Sequence, residues 1–262
     1  MDAGARPFPR LGLEPMNSAR RRFAVAALAS ALTLAGAAGW WTLRATAGYL
    51  GGETARFVAL FDAPTAPGSA QTRRELDELL ELQRTRSAAD VAAARADRKT
   101  DVERFFGALG LPGAGAPRLP QLRRLAQRVE DDIRPYTRAA KDHFSRQRPY
   151  EIEPRLRPCI DHVRGDLSYP SGHATYGYVI AYLLGDMVPE RAPELQRRAD
   201  EFARQRMVCG VHFRSDIEAG RKAARWLTFV LLGDPGYRRD SIAAALELRA
   251  ALHLPPRASR PP

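Results

Sequence analysis

Apolar residues along much of this chain recur at helical spacing. Between residues 68 and 107 a stretch rich in Ala, Leu, Glu and Arg carries Leu76, Leu79, Leu80 and Leu82, then Val91, Ala94 and Val102. Residues three and four apart share one face of a helix, so this spacing predicts helices with one apolar side. Similar patterns run over residues 119–143, 172–186, 193–207, 215–232 and 240–252. Breaks rich in Pro and Gly at residues 63–68 and 111–120 separate helical segments rather than domains. Alternating strand blocks and internal repeats are missing from the pattern. The expected architecture is an all-α bundle.

One apolar run departs from this amphipathic pattern. Residues 23–38 follow Arg20, Arg21 and Arg22 and end in Ala35, Gly36, Ala37 and Ala38. Basic residues, an apolar run and small residues in that order predict an export signal over residues 1–38, cleaved near Ala37. The run is also almost long enough to stay as a membrane anchor. Residues 39–262, roughly 220 in number, suffice for one sizeable core and one domain. The later apolar stretches are too short or too interrupted to span a bilayer: Gly185 and Asp186 break residues 176–188, and residues 226–232 are few. A periplasmic or secreted protein is expected.

The net charge of +11 raises the question of nucleic acid. The arginines, however, are interspersed with acids, as in Arg73, Arg74, Glu75, Asp77 and Glu78, which is the pattern of a solvated helix surface. With no basic stripe interleaved with aromatics, nucleic acid is not expected as a specific partner. The two cysteines, Cys159 and Cys209, form an even count in an exported chain, which favours a disulfide over two buried free thiols. Such a bridge would close about 50 residues and contribute roughly 4 kcal/mol in the chain-entropy model.

Three clusters carry candidate chemistry. In the first, Lys141 and Arg148 stand seven residues apart and Pro149 follows. On one helix that spacing would put both cations on one face, with Arg148 near the helix end and its planar fork free for two oxygens of an anion. In the second, Tyr169, Pro170, Ser171, Gly172 and His173 precede an apolar helix. The amides of Ser171, Gly172 and His173 at that N-terminus, with the Ser171 hydroxyl, suit a bound anion; an ordinary Ser N-cap is the competing reading. In the third, Arg206 leads to His212 and Asp216, four residues apart. If helical, the carboxylate reaches the imidazole, fixes its tautomer and leaves the other nitrogen as nucleophile or base; a satisfied structural histidine is the alternative. His143, His162 and His253 have no partner of this kind and read as structural.

Taken together, these clusters resemble the three-part signature of the phosphatidic acid phosphatase type 2 and vanadium haloperoxidase superfamily, spread here over residues 141–216. Within it the chain is most similar to bacterial class A non-specific acid phosphatases. That likeness includes the segment from Ala66, Pro67 and Gly68 into Glu75, Leu76, Asp77 and Glu78, and the positions of Cys159 and Cys209. It implies an all-α fold of that superfamily and an exported acid phosphatase that uses no metal or other cofactor. Phosphate monoesters would be its substrates, with broad specificity, and phosphate and vanadate its inhibitors; a homo-oligomer is compatible. By residue, it implies His212 as the nucleophile forming a phosphohistidine, Asp216 as its orienting partner and His173 as general acid and base. Lys141, Arg148, Ser171, Gly172 and Arg206 would bind the phosphoryl oxygens. Two features depart from the family pattern: Gln205 replaces a serine, and Asp166, Leu167 and Ser168 precede Tyr169 where a glycine is common ahead of the Ser-Tyr-Pro, which adds a carboxylate near the pocket mouth. The competing functions are a vanadium-dependent haloperoxidase using the same anion pocket, a non-enzymatic phosphate-binding protein, and a membrane lipid phosphatase, which would need several spanning helices.

Overall fold

The computed structural model describes residues 48–112 and 117–257. The expected export signal at residues 1–38 lies outside the described residues. Ten α-helices and two 3-10 turns occur among the described residues, with no strand. In chain order the helices are α1 (Thr54–Val58), α2 (Ala70–Thr85), α3 (Ala88–Ala96), α4 (Phe106–Leu109), α5 (Pro120–Phe144) and α6 (Pro149–Ile152). They continue as α7 (Gly172–Met187), α8 (Ala192–Val208), α9 (Arg214–Gly233) and α10 (Pro235–Ala251). The architecture is thus all-α, as the apolar spacing predicts.

The centre of the bundle is α7. From Ala174 to Leu184 all but Tyr182 are buried, and α8 and α9 flank it. A helix apolar on every side must be enclosed by others. By contrast, α5 buries one stripe, Leu122, Leu125, Ala126, Val129, Ile133, Tyr136 and Ala140, at spacings of three and four. That stripe packs toward α7 and α10. The last helix begins at Pro235, five residues before the apolar pattern predicts. Asp234 caps it, accepting from the Tyr237 amide at 2.7 Å, and proline fits the first helical position because it needs no N–H there. No helix among the described residues is long and apolar enough to cross a membrane.

One close approach positions the site. A Cβ on Gly220 of α9 would lie 2.8 Å from the Ser171 carbonyl oxygen and 2.9 Å from the Ala174 Cβ. Glycine there lets the N-terminus of α7 rest directly on α9.

Candidate active site

Lys141 lies in the last turn of α5, but Arg148 is not on that helix. The helix stops at Phe144, Ser145 takes a left-handed conformation with φ 49°, and Arg148 is the N-cap of the short helix α6, with Pro149 at its first position. The sequence reading, which placed both cations on one helical face, is therefore corrected: chain reversal at Ser145 brings them together. Asp166 joins them, accepting from Lys141 Nζ at 3.4 Å and from Arg148 Nη2.

Arg206 and His212 are arranged by a turn. At the end of α8 the Gly210 amide bonds to the Met207 carbonyl at 2.8 Å and the Val211 amide to the Arg206 carbonyl at 3.0 Å, with Gly210 at φ 68°. This is a Schellman motif, and its left-handed position favours glycine. The disulfide between Cys209 and Cys159 ties the turn to the segment after α6.

His212 and Asp216 also meet by a route other than the expected helical spacing. His212 precedes α9, while Asp216 sits in its first turn, where its carboxylate reaches back to accept from the Phe213 amide at 2.9 Å. The same oxygen accepts from His212 Nδ1 at 3.1 Å and from the Ser168 hydroxyl, and the other oxygen accepts from Arg146 Nη1 at 2.7 Å. Asp216 is fully buried, and these four donors satisfy its carboxylate. With Nδ1–H given to Asp216, His212 Nε2 keeps its lone pair, which accepts from Arg148 Nη1 at 2.6 Å.

Ser171 caps α7, its hydroxyl accepting from the Ala174 amide at 3.2 Å. Its own amide donates to the Asp216 backbone carbonyl at 3.0 Å, so the expectation that this amide points at an anion is corrected. The Gly172 and His173 amides begin the helix, where N–H groups have no acceptor one turn earlier. His173 stacks on Phe202, ring centres 4.1 Å apart and planes 10° apart. A hydrogen bond to the Asp97 backbone holds one ring nitrogen; Nε2 is buried without a partner.

Sequence reasoning missed the support behind Asp216. Arg146, buried, donates to Asp216, to the Ser215 hydroxyl at 2.7 Å and to Glu75 of α2 at 3.0 Å, and its guanidinium lies 3.9 Å over the Phe213 ring. Glu75 also accepts from the Ser215 amide at 2.7 Å. A chain of buried groups thus runs from Glu75 through Arg146 and Asp216 to His212. Arg146 lies two residues from Arg148, yet nothing local separates it from the other surface-type arginines.

Electrostatics set both histidines apart from ordinary ones. Burial, then the charges of Arg148, Lys141, Arg206 and Arg146, holds the His212 pKa well below 6.5. Burial, then Arg206, does the same for His173. Burial and Arg148 lower Lys141 to about 8, and burial and Arg148 lower Arg206 to about 10. Arg148 Nε and Arg206 Nε and Nη1 are buried donors without partners, and Gln205 Oε1 is a buried acceptor without one. The arrangement combines a neutral, oriented imidazole with three cations, two of which, Arg148 and Arg206, carry unpartnered buried donors that suit a tetrahedral oxyanion. Of the remaining histidines, His143 packs edge-on to Phe144 and His162 against Tyr150, while His253 takes φ 56° just beyond the last helix.

Residues 135–240 match the model of the PAP2 superfamily. An acid phosphatase of Zymomonas mobilis is 36% identical over 155 residues, 56% of this chain and 57% of that protein. A non-specific acid phosphatase of Salmonella typhimurium is 43% identical over 88 residues, 32% of this chain and 35% of that protein. The chain thus spans between a third and three fifths of these relatives. Among solved structures, a bacterial vanadium-dependent iodoperoxidase superposes with a TM-score of 0.52 at 18% identity, covering 66% of this chain and 52% of that one. This likeness is one of fold.

Proposed function

We propose that this chain, whose residues 135–240 match the PAP2 superfamily model, is an acid phosphatase that hydrolyses phosphate monoesters through a phosphohistidine on His212. The observation that carries this reading is the buried His212, locked by Asp216 in one tautomer with its Nε2 lone pair toward Arg148. The two acid phosphatase relatives support the reaction class.

In the first step Nε2 of His212 bonds to phosphorus as the bond to the leaving oxygen breaks. His173, protonated at Nε2, gives that proton to the departing oxygen. Asp216 offsets the positive charge that grows on the His212 ring. Lys141, Arg148 and Arg206, with the Gly172 amide and the Ser171 hydroxyl, hold the three equatorial oxygens and offset their charge. Water then attacks phosphorus and passes a proton to His173, and the P–N bond breaks with its electron pair returning to His212. Three fixed cations supply the charge that a metal would otherwise bring, so the reaction is read as metal-independent. The assigned contacts all go to the phosphoryl group, which supports broad specificity for the alcohol and inhibition by phosphate and vanadate. The disulfide supports an exported enzyme, because such bonds persist in oxidising compartments.

The test is p-nitrophenyl phosphate hydrolysis in excess EDTA by the parent and His212→Ala, with vanadate titration. Activity that survives chelation, falls with vanadate and is lost in the variant supports the reading. Metal dependence or an active variant overturns it, and iodide oxidation with vanadate and peroxide but no hydrolysis favours the haloperoxidase.

A further inference from the structure

The segment between α6 and α7 brings a carboxylate onto two of the cations assigned to phosphate. Asp166 bonds to both Lys141 and Arg148; its side chain is 47% exposed, whereas that of Arg148 is 8% exposed. Its placement is built into the fold. A turn closed by the Asp166 amide and the Val163 carbonyl at 3.4 Å has Gly165 at φ 77°, where a side chain would be strained. The Gly165 amide donates to Glu151 Oε1 at 2.6 Å, and the Tyr150 hydroxyl donates to the Val163 carbonyl at 3.1 Å. Glu151 also accepts from the backbone amide of Arg148 at 3.4 Å. The turn is therefore fastened to the helix that Arg148 itself caps.

These contacts settle where the Arg148 fork lies. Nη2 goes to Asp166, while Nη1 goes to the Val211 carbonyl at 2.7 Å and to the nucleophilic nitrogen of His212. A two-oxygen anion spanning a guanidinium and an ammonium makes the contacts that a phosphoryl group would make. Burial opposes ionisation of Asp166, but Arg148 and Lys141 outweigh it and hold its carboxyl below the ordinary range.

We propose that Asp166 is an internal competitor for the phosphoryl group, occupying Lys141 and Arg148 in the resting protein and releasing them when a phosphate monoester binds. Asp166 then sets the affinity for phosphate, at the mouth of the site rather than through the reacting atoms. The proposal rests on the assignment of Lys141 and Arg148 to phosphate.

The experiment compares the parent with Asp166→Asn, measuring KM for p-nitrophenyl phosphate and the inhibition constant of inorganic phosphate, and adds a crystal structure of the parent with phosphate bound. In the variant both constants fall about three- to tenfold, the scale of one charge-assisted hydrogen bond at a part-exposed site. In the phosphate complex the Asp166 carboxylate has left Arg148 Nη2. Constants that stay the same or rise overturn the proposal. So does tighter binding with Asp166 still on Arg148 in the complex, which would be a through-space charge effect without competition. A parent that neither hydrolyses the ester nor binds phosphate removes the phosphatase reading and this proposal together, whereas an active, phosphate-inhibited parent insensitive to Asp166→Asn removes this proposal alone.

Discussion

Arg146 links the stability of the fold to the proposed catalytic chemistry. Its guanidinium bridges two buried carboxylates, Glu75 and Asp216, and also bonds Ser215. Arg146→Met keeps the bulk and removes the charge, leaving two buried anions without their shared cation. Breaking a buried pair by removing one partner costs about 3–5 kcal/mol. For a domain of this size each kcal/mol lowers Tm by about 2–4 °C, so thermal unfolding should shift by about 6–20 °C. Glu75→Gln removes one of the two stranded charges, so the loss in the double variant should fall about 1–3 kcal/mol short of the sum of the single losses. Arg146→Lys keeps the charge but not the fork and cannot serve both carboxylates with the same geometry. Arg146 makes no contact with the proposed phosphate ligands' free donors, so the lysine variant should lose about 10- to 100-fold in kcat for p-nitrophenyl phosphate while KM changes little. The acid limb of the pH profile should move in Arg146→Met, which removes a positive charge that His212 feels. Calorimetry with steady-state kinetics reads the four variants against the parent. An Arg146→Met cost of about 1 kcal/mol or less, typical of an exposed pair, or strict additivity with Glu75→Gln, would refute the buried-chain argument.

Three further predictions concern pH and packing. In the proposed mechanism His212 is neutral to attack and His173 protonated to donate, and both have pKa values held well below 6.5; kcat/KM should therefore climb as pH falls from neutrality, with a further loss on the alkaline side as Lys141 titrates near about 8. A monotonic rise into alkaline pH in a rate profile would contradict it. Because the unfolded chain takes up protons at these histidines from about 6.5 downward while the folded one does not, their contribution to stability is complete above that pH and is lost as pH falls toward the lowered folded values, about 1.4 kcal/mol per unit and per group. Melting curves from pH 7 to 5, with and without phosphate, check this: the phosphate-free Tm should fall over that window and phosphate should recover part of it. Gly220→Ala should destabilise by about 1–3 kcal/mol despite the better helix propensity of alanine, because its Cβ would press on the Ser171 carbonyl 2.8 Å away; urea unfolding that shows the variant equal or more stable would sink this reading of the α7–α9 contact.

How much of this was legible in the sequence depends on whether a residue's role is set by its neighbours along the chain or across it. The helices were legible because burial of one stripe imposes a period, as in Leu122, Leu125, Ala126 and Val129. The helix-terminal signals were legible in type but not in geometry. Lys141 with Arg148, and His212 with Asp216, do meet partners as the spacing suggested, yet Ser145 and Phe213 put a helix boundary inside each pair. Spacing of four or seven is compatible with a continuous helix and equally with a turn, and a residue that tolerates a left-handed conformation, as Ser145 does, leaves no mark in an apolar pattern. The chain from Glu75 to Arg146 was out of reach for another reason. Its members lie 71 residues apart, and in a chain with 41 Lys and Arg against 30 Asp and Glu, each looks like one more solvated charge. Burial is what distinguishes them, and burial of a polar residue is decided by the elements packed over it. Motif positions therefore mark the groups proposed to face a ligand, which cluster at helix ends where the chain can turn them inward. The groups that hold them there are supplied from distant helices, and the fold alone brings these into contact.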